Sequence, residues 1–151
     1  MIKERIEKLR KVMKDNGIDA YYIPTNDFHG SEYVGDYFKC RKYITGFTGS
    51  AGTAVITMDE ARLWTDGRYF IQAAAELSGS GITLMKMGQP EVPTIKDYLS
   101  DTMKAGQVLG FDGRCVDYKY AISLEEALHK NDARIVYHLD LMDTVWEDRP
   151  A

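Results

Sequence analysis

The first segment of the chain carries apolar residues every three or four positions and is followed by Gly17, a residue type that commonly ends helices. The apolar residues are Ile2, Ile6, Leu9 and Met13. This spacing predicts an N-terminal helix with one buried face. The next run, "IDAYYIP", predicts a short strand that ends at Pro24.

The pattern then alternates between strands and helices. "TAVITMDEARLWTDG" predicts two strands joined by a short turn over 58–60, and "RYFIQAAAEL" predicts a helix. Further strands are expected at "ITLMKM", "QVLGFD" and "RIVYHL". Further helices are expected from Thr94 to Lys104, from Asp117 to about Lys130 and briefly in "MDTVWEDRPA", while 34–47 allows a helical turn. This alternation predicts an α/β domain with a mixed sheet, because the hairpin supplies an antiparallel pair.

Composition narrows the class of protein. The chain has 151 residues with 44% hydrophobic and 28% charged residues, which suits one globular domain. No apolar run approaches the roughly 18 residues that would suggest a membrane span, and the charged N-terminus lacks the core of a signal peptide. The net charge is −4 without a concentrated basic face, which argues against nucleic-acid binding. A cytoplasmic protein is expected, with Cys40 and Cys115 as buried or bystander thiols.

The glycine-rich stretch "GFTGSAG" resembles a phosphate-binding loop only in composition. Its glycines at 46, 49 and 52 match neither common phosphate-loop spacing, and a β-branched strand follows where such a loop needs a helix N-terminus. Tight turns and close backbone packing that lead into the hairpin are the better interpretation.

The loop "NDFHGSE" places Asp27, His29 and Glu32 close together in sequence, a set that can ligate a metal ion. A mononuclear site needs three or four convergent ligands, and no second cluster at a familiar spacing is present. A polar loop whose side chains bond the local backbone is the preferred alternative.

Arg68 stands at the predicted start of a helix, directly after "TDG". Asp66 suits the N-cap, but a cation in the first turn opposes the helix dipole at a cost of roughly 0.3–1 kcal/mol. Such local conflicts often mark functional sites. Arg68 is therefore either a functional group or an arginine held by Asp66 or another carboxylate.

Five segments resemble, in order, the N-terminal domain of Xaa-Pro aminopeptidases (aminopeptidase P), with the three-domain form as the closer match. They are "DFHGSEY", "YITGFTGSAGTAVIT", "LWTDGRYFIQAAAEL", "TLMKMG" and "VWEDRP". The likeness spans nearly the whole chain. At "YFKCRKY" the chain departs from the family, which often has an acidic residue and paired arginines before the aromatic residue.

The resemblance implies a mixed, mostly β-sheet core flanked by helices, with a ribonuclease-H-like motif. It places the creatinase/prolidase N-terminal-like domain at 1–146, and the polar, proline-containing 147–151 as the start of a linker. In this family the catalytic machinery lies in a separate C-terminal domain that holds two metal ions, usually manganese. The chain itself is expected to hold no cofactor and to be inactive alone.

The resemblance also assigns a role to Arg68, which matches a family arginine that projects toward the active-site cleft and helps to bind substrate. Asp27 and His29 are expected near that cleft without an assigned role. The implied partners are the chain's own C-terminal catalytic domain, a proline-containing peptide and, in the full-length protein, further copies of itself.

Two other hypotheses remain open on the sequence. The fold could serve as a stand-alone module that binds peptides or a protein partner. An independent metal hydrolase built on Asp27, His29 and Glu32 is the weakest, because it requires tight metal uptake by this chain alone.

Overall fold

The computed structural model describes residues 2–24, 40–49, 52–111, 118–137 and 141–146. The helices are α1 (Ile2–Asp15), α2 (40–45), α3 (Phe70–Glu76), α4 (Ile95–Thr102), α5 (Tyr118–His129) and α6 (Met142–Val145). The strands are β1 (Ala20–Ile23), β2 (Thr53–Thr57), β3 (Ala61–Thr65), β4 (Thr83–Lys86), β5 (Val108–Gly110) and β6 (Arg134–Val136). The predicted α/β class with helices flanking a sheet is confirmed.

The six strands form one sheet in the order β4-β3-β2-β1-β5-β6. β2 pairs antiparallel with both β1 and β3, whereas the pairs β3–β4, β1–β5 and β5–β6 are parallel. Strand β2 therefore runs against the other five described strands, and the predicted mixed sheet with an antiparallel hairpin is confirmed. The carboxyl ends of β1, β3, β4, β5 and β6 all lie at one edge of this sheet.

Helices cover both faces of the sheet. Alternate residues of each central strand point to opposite faces, so each of these strands contributes to two cores. On β1, Tyr21 and Ile23 join the core beneath α1, which contributes Ile6, Leu9 and Met13. Their neighbours Ala20 and Tyr22 join the second core, which includes Leu99 of α4 and Leu124 of α5. A strand buried on both faces reads as a continuous apolar run, as "AYYI" does.

Element boundaries differ from the predictions by a few residues. The helix expected through Lys104 ends at Thr102, because Met103 takes an extended conformation (φ −83°, ψ 136°) and its side chain is buried. The helix expected from Arg68 begins instead with a 3₁₀ turn at Gly67–Tyr69, before α3. Gly17 has φ 72° directly after α1, as expected for a cap in the left-handed region. Cys40 is buried, while Cys115 lies outside the described residues.

Candidate functional site

The candidate site lies at the carboxyl edge of the sheet, where β3 ends and the chain turns into α3. Open α/β sheets commonly bind ligands at this edge, since the loops that follow their parallel strands meet there. Asp66 and Arg68 follow β3, and Pro24 follows β1 at the same edge. One strand separates β1 from β3, so these two chain exits are roughly 10 Å apart at a spacing of about 4.8 Å per strand.

Asp27 and His29, which were expected near Arg68, lie outside the described residues, as does Glu32. The described chain before them ends at Pro24, directly after β1 and at the sheet edge that carries Arg68. Their proximity to Arg68 therefore stays a prediction.

Arg68 is held by Asp66 through three hydrogen bonds. The backbone N–H of Arg68 donates to Asp66 Oδ1 at 3.0 Å, which makes Asp66 the N-cap of the 3₁₀ turn. Arg68 Nε donates to Oδ1 at 3.0 Å, and Nη2 donates to Oδ2 at 2.9 Å. Because the arginine side chain donates these bonds, the pKa of the Asp66 carboxyl falls below its usual value of 3.8.

This arrangement resolves the conflict seen in the sequence. The carboxylate of Asp66 offsets the unfavourable position of a cation in the first helical turn. Even so, the Arg68 side chain is 62% exposed, with its Cζ 5.0 Å from the ring centroid of Tyr69. The guanidinium is therefore both ordered by a partner and accessible to a ligand.

Two exposed apolar side chains accompany Arg68. Ile71 in the first turn of α3 is 90% exposed, and Met87 directly after β4 is 48% exposed. The Met87 N–H donates to the carbonyl of Thr65 at 3.0 Å, so Met87 lies beside the end of β3. Sequence reasoning missed both residues, although Ile71 is out of phase with Ala73 and Leu77, the buried positions of this helix.

The described part of the glycine-rich stretch, 46–49 and 52, is closely packed, as predicted. Gly46 has φ 78°, and a Cβ added at Gly49 would stand 2.4 Å from Cζ of Phe47. The side chain of Arg41 is completely buried beneath this loop, where it donates to the carbonyls of Gly49 and Gly52. Burial lowers the pKa of Arg41 to about 10, and the nearby charge of Glu76 opposes that fall.

Glu76, at the end of α3, ties the same loop to the helix. The backbone N–H of Thr48 donates to Glu76 Oε1 at 2.9 Å, and the Thr48 hydroxyl donates to Oε2 at 2.7 Å. Gln72 donates to the Thr48 hydroxyl oxygen at 2.8 Å. Burial alone would raise the pKa of Glu76, but the hydrogen bonds from Thr48 and Gln72 and the charge of Arg41 together lower it below its usual value. The glycine loop is therefore joined to helix α3 by side-chain hydrogen bonds.

The described residues support neither a phosphate-binding loop nor a metal site. The backbone of this loop continues into β2 and not into a helix, so the features of a phosphate loop are missing there. Within 2–24, 40–49, 52–111, 118–137 and 141–146, no three His, Cys, Asp or Glu side chains converge as metal ligands. None of the described helices is long and apolar enough to cross a membrane.

Comparison with known proteins identifies the fold. A family model described as the creatinase/prolidase N-terminal domain matches residues 5–145. Aminopeptidase P2 of Arabidopsis thaliana is 41% identical over 152 residues, which cover 98% of this chain and 21% of the relative. The probable Xaa-Pro aminopeptidase P of Aspergillus niger is 42% identical over 150 residues, or 98% of this chain and 24% of the relative. The chain thus spans less than a quarter of the length of these curated relatives.

Solved structures of related proteins share this fold. The crystal structure of X-prolyl aminopeptidase from Caenorhabditis elegans, described as a cytosolic enzyme with a di-nuclear active site, superposes with a TM-score of 0.88 at 35% identity. It covers all of this chain but only 26% of that one. The N-terminal domain of the cytoplasmic peptidase PepQ from Mycobacterium tuberculosis superposes with a TM-score of 0.66 at 25% identity, covering 94% of this chain and 98% of that one.

Proposed function

Because the chain belongs to the creatinase/prolidase N-terminal domain family, we propose that it is the non-catalytic N-terminal domain of a metal-dependent Xaa-Pro aminopeptidase. Such an enzyme removes the N-terminal residue that precedes proline. One observation carries the proposal: 98% of this chain aligns with only 21% to 24% of proteins named aminopeptidase P. The relatives are thus four to five times longer than the matched region, which supports assigning this domain a part of the enzyme and not the whole activity.

In the proposed enzyme, this domain forms one wall of the substrate cleft and contributes to contacts between subunits. Arg68 is the substrate-binding residue of that wall, because its exposed guanidinium can donate hydrogen bonds to a peptide carbonyl or carboxylate. The Asp66 pair and the rigid corner between β3 and α3 keep this group in a fixed position. Asp27 and His29 would border the same cleft, in keeping with the exit of β1 at this edge.

We place the two metal ions, with manganese as the expected metal, in the C-terminal catalytic domain. The C. elegans relative is described as having a di-nuclear active site, and no ligand cluster occurs in the described residues of this chain. Bound metal would supply an activated water for hydrolysis. The contribution of this domain is to bind and orient the peptide. The proposed partners are the catalytic domain, the peptide and further copies of the enzyme, and the proposed location is the cytoplasm.

The first experiment compares peptide hydrolysis by the 151-residue chain with hydrolysis by the longer protein that the proposal implies. Both are assayed on an Xaa-Pro peptide with added Mn²⁺, and bound metal is quantified. Turnover and metal confined to the longer protein would support the proposal. Turnover by the 151-residue chain that survives repurification would overturn it and direct attention to Asp27, His29 and Glu32.

The second experiment tests Arg68 in the longer protein. Arg68→Ala should leave the melting temperature unchanged, because the side chain is largely exposed, and should reduce kcat/KM for the peptide. Arg134→Ala is the matched control, since Arg134 is also exposed but lies on β6, at the far border of the sheet. Equal turnover by Arg68→Ala and the unmodified protein would refute the assigned role.

A further inference from the structure

We propose that Asp66 is a positioning residue that orients the Arg68 guanidinium for substrate, an inference that rests on the function proposed above. A single carboxylate accepts both from the backbone N–H of Arg68 and from its side chain at Nε and Nη2. The same group therefore starts the helical turn and fixes the direction of the arginine. Two parallel N–H···O bonds hold the plane of the guanidinium as well as its position.

The position of Asp66 is itself anchored to the sheet. Thr65, the last residue of β3, is buried, and its carbonyl accepts from the Met87 N–H at 3.0 Å. Asp66 follows directly, so its backbone cannot shift without disturbing the pairing of β3 with β4. The sheet therefore fixes the position of Asp66, and Asp66 in turn fixes the orientation of the Arg68 side chain.

The opposite end of β3 provides an internal comparison. There Glu60 accepts from Arg62, an acid–arginine pair with the same spacing of two residues. Glu60 also accepts from the Tyr98 hydroxyl at 2.6 Å, and Arg62 is only 24% exposed with its Cζ 5.0 Å from the Tyr98 ring centroid. That pair ties α4 to the sheet. The Asp66 pair has the same acid exposure of 40% but leaves its arginine 62% exposed.

Without Asp66, the Arg68 side chain would lose the two bonds that its Nε and Nη2 atoms donate to the carboxylate, so more of its ordering would have to occur when substrate binds. Ordering one flexible side chain reduces affinity roughly two- to tenfold. The loss should appear in KM, with kcat nearly unchanged, if Arg68 contacts the substrate equally in the ground state and the transition state.

The test is Asp66→Asn in the longer protein. Asparagine is as good an N-cap as aspartate, so the backbone bond and the melting temperature should be retained while the charged bidentate pair is lost. We expect KM for the Xaa-Pro peptide to rise roughly two- to tenfold with kcat unchanged. Glu60→Gln, which weakens the matched pair at the other end of β3, should leave KM unchanged.

A double-mutant cycle separates positioning from an independent role. If Asp66 acts through Arg68, Asp66→Asn should have no further effect on KM in an Arg68→Ala background. An equal effect in both backgrounds, or an unchanged KM for Asp66→Asn alone, would overturn the inference. The proposed function would still stand provided that Arg68→Ala reduces kcat/KM. If Arg68→Ala itself has no effect, both proposals are wrong.

A readout without turnover is also available. In the 151-residue chain, the Nε–H proton of Arg68 should exchange with solvent more slowly than that of the same arginine in Asp66→Ser, as measured by ¹H–¹⁵N NMR, because serine keeps an N-cap oxygen but has no carboxylate to accept from the guanidinium. Identical exchange in the two proteins would show that Asp66 does not order the side chain.

Discussion

Gly49→Ala is the substitution that most directly tests whether the glycine-rich stretch is packed architecture. A Cβ at position 49 would stand 2.4 Å from Phe47 Cζ and 2.9 Å from Tyr69 Cδ1, against an ordinary carbon–carbon contact of about 3.5–4.0 Å. Phe47 is fully buried, with the Arg41 guanidinium 4.8 Å from its ring centroid and the Tyr69 ring packed edge-on at 6.0 Å. The Phe47 ring therefore cannot move by the required ångström without displacing two neighbours.

Overpacking of a buried site by one methyl group costs about 1–3 kcal/mol, and the rigid surroundings of Phe47 favour the upper end of that range. For a chain of this length, about 3 kcal/mol lowers the melting temperature by roughly 6–12 °C. The assay is thermal unfolding followed by circular dichroism, with urea unfolding to give the free energy.

Gly67→Ala is the control for this substitution. Its added Cβ would meet nothing closer than 4.0 Å, at Phe70 Cε2, so the change should be neutral or stabilising by up to about 1 kcal/mol. A melting temperature for Gly49→Ala within about 1 °C of the unmodified chain would refute the packing argument. An equal fall in both variants would show that backbone effects, and not contacts of the new methyl group, are responsible.

Three further predictions concern the glycine loop and one helix start. Arg41→Met should cost about 3 kcal/mol in urea unfolding, because two buried loop carbonyls lose their donor; a loss below about 0.5 kcal/mol would contradict this. Glu76 has a folded-state pKa below its usual 4.5, so it stabilises the fold above that pH and loses its contribution as the pH falls through the lower folded value. Glu76→Gln should therefore reduce stability near neutral pH and flatten the acid-side decline in melts between about pH 3 and pH 7. Thr94→Ala should cost about 1 kcal/mol in urea unfolding and Thr94→Ser much less, since the Thr94 hydroxyl oxygen accepts from the backbone N–H at position 97.

Local elements were predictable from the sequence because their signals are local. The spacing of Ile6, Leu9 and Met13 gives the buried face of α1, and the turn around 58–60 joins β2 to β3 as expected. The order of the strands was not predictable in this way. It depends on which strands pair across the sheet, such as β1 with β5, and single-sequence spacing does not carry that information.

At the site, the sequence drew attention to Arg68 but did not predict the contacts that hold the surrounding loop in place. Arg68 stood out because a cation at a helix start is unfavourable, and Asp66 was already a candidate partner. The burial of Arg41 beneath the loop and the bonds from Thr48 to Glu76 were not predicted. Arginine is rarely fully buried, and a contact between residues 28 positions apart leaves no periodic trace in one sequence.

These unpredicted contacts join the described part of the glycine loop to the corner between β3 and α3. Arg41 donates to the loop carbonyl of Gly49, and Glu76 of α3 accepts from the loop N–H of Thr48. Phe47 packs edge-on against Tyr69, in the turn that carries Arg68. Each contact limits movement of the corner between β3 and α3, while the described part of this corner presents one exposed, carboxylate-bound guanidinium at the sheet edge. Asp66 offsets the unfavourable position of this cation relative to the helix dipole, and the Arg68 side chain still remains 62% exposed. Under the proposed function, the packed corner between β3 and α3 holds this exposed cation in place for a peptide substrate.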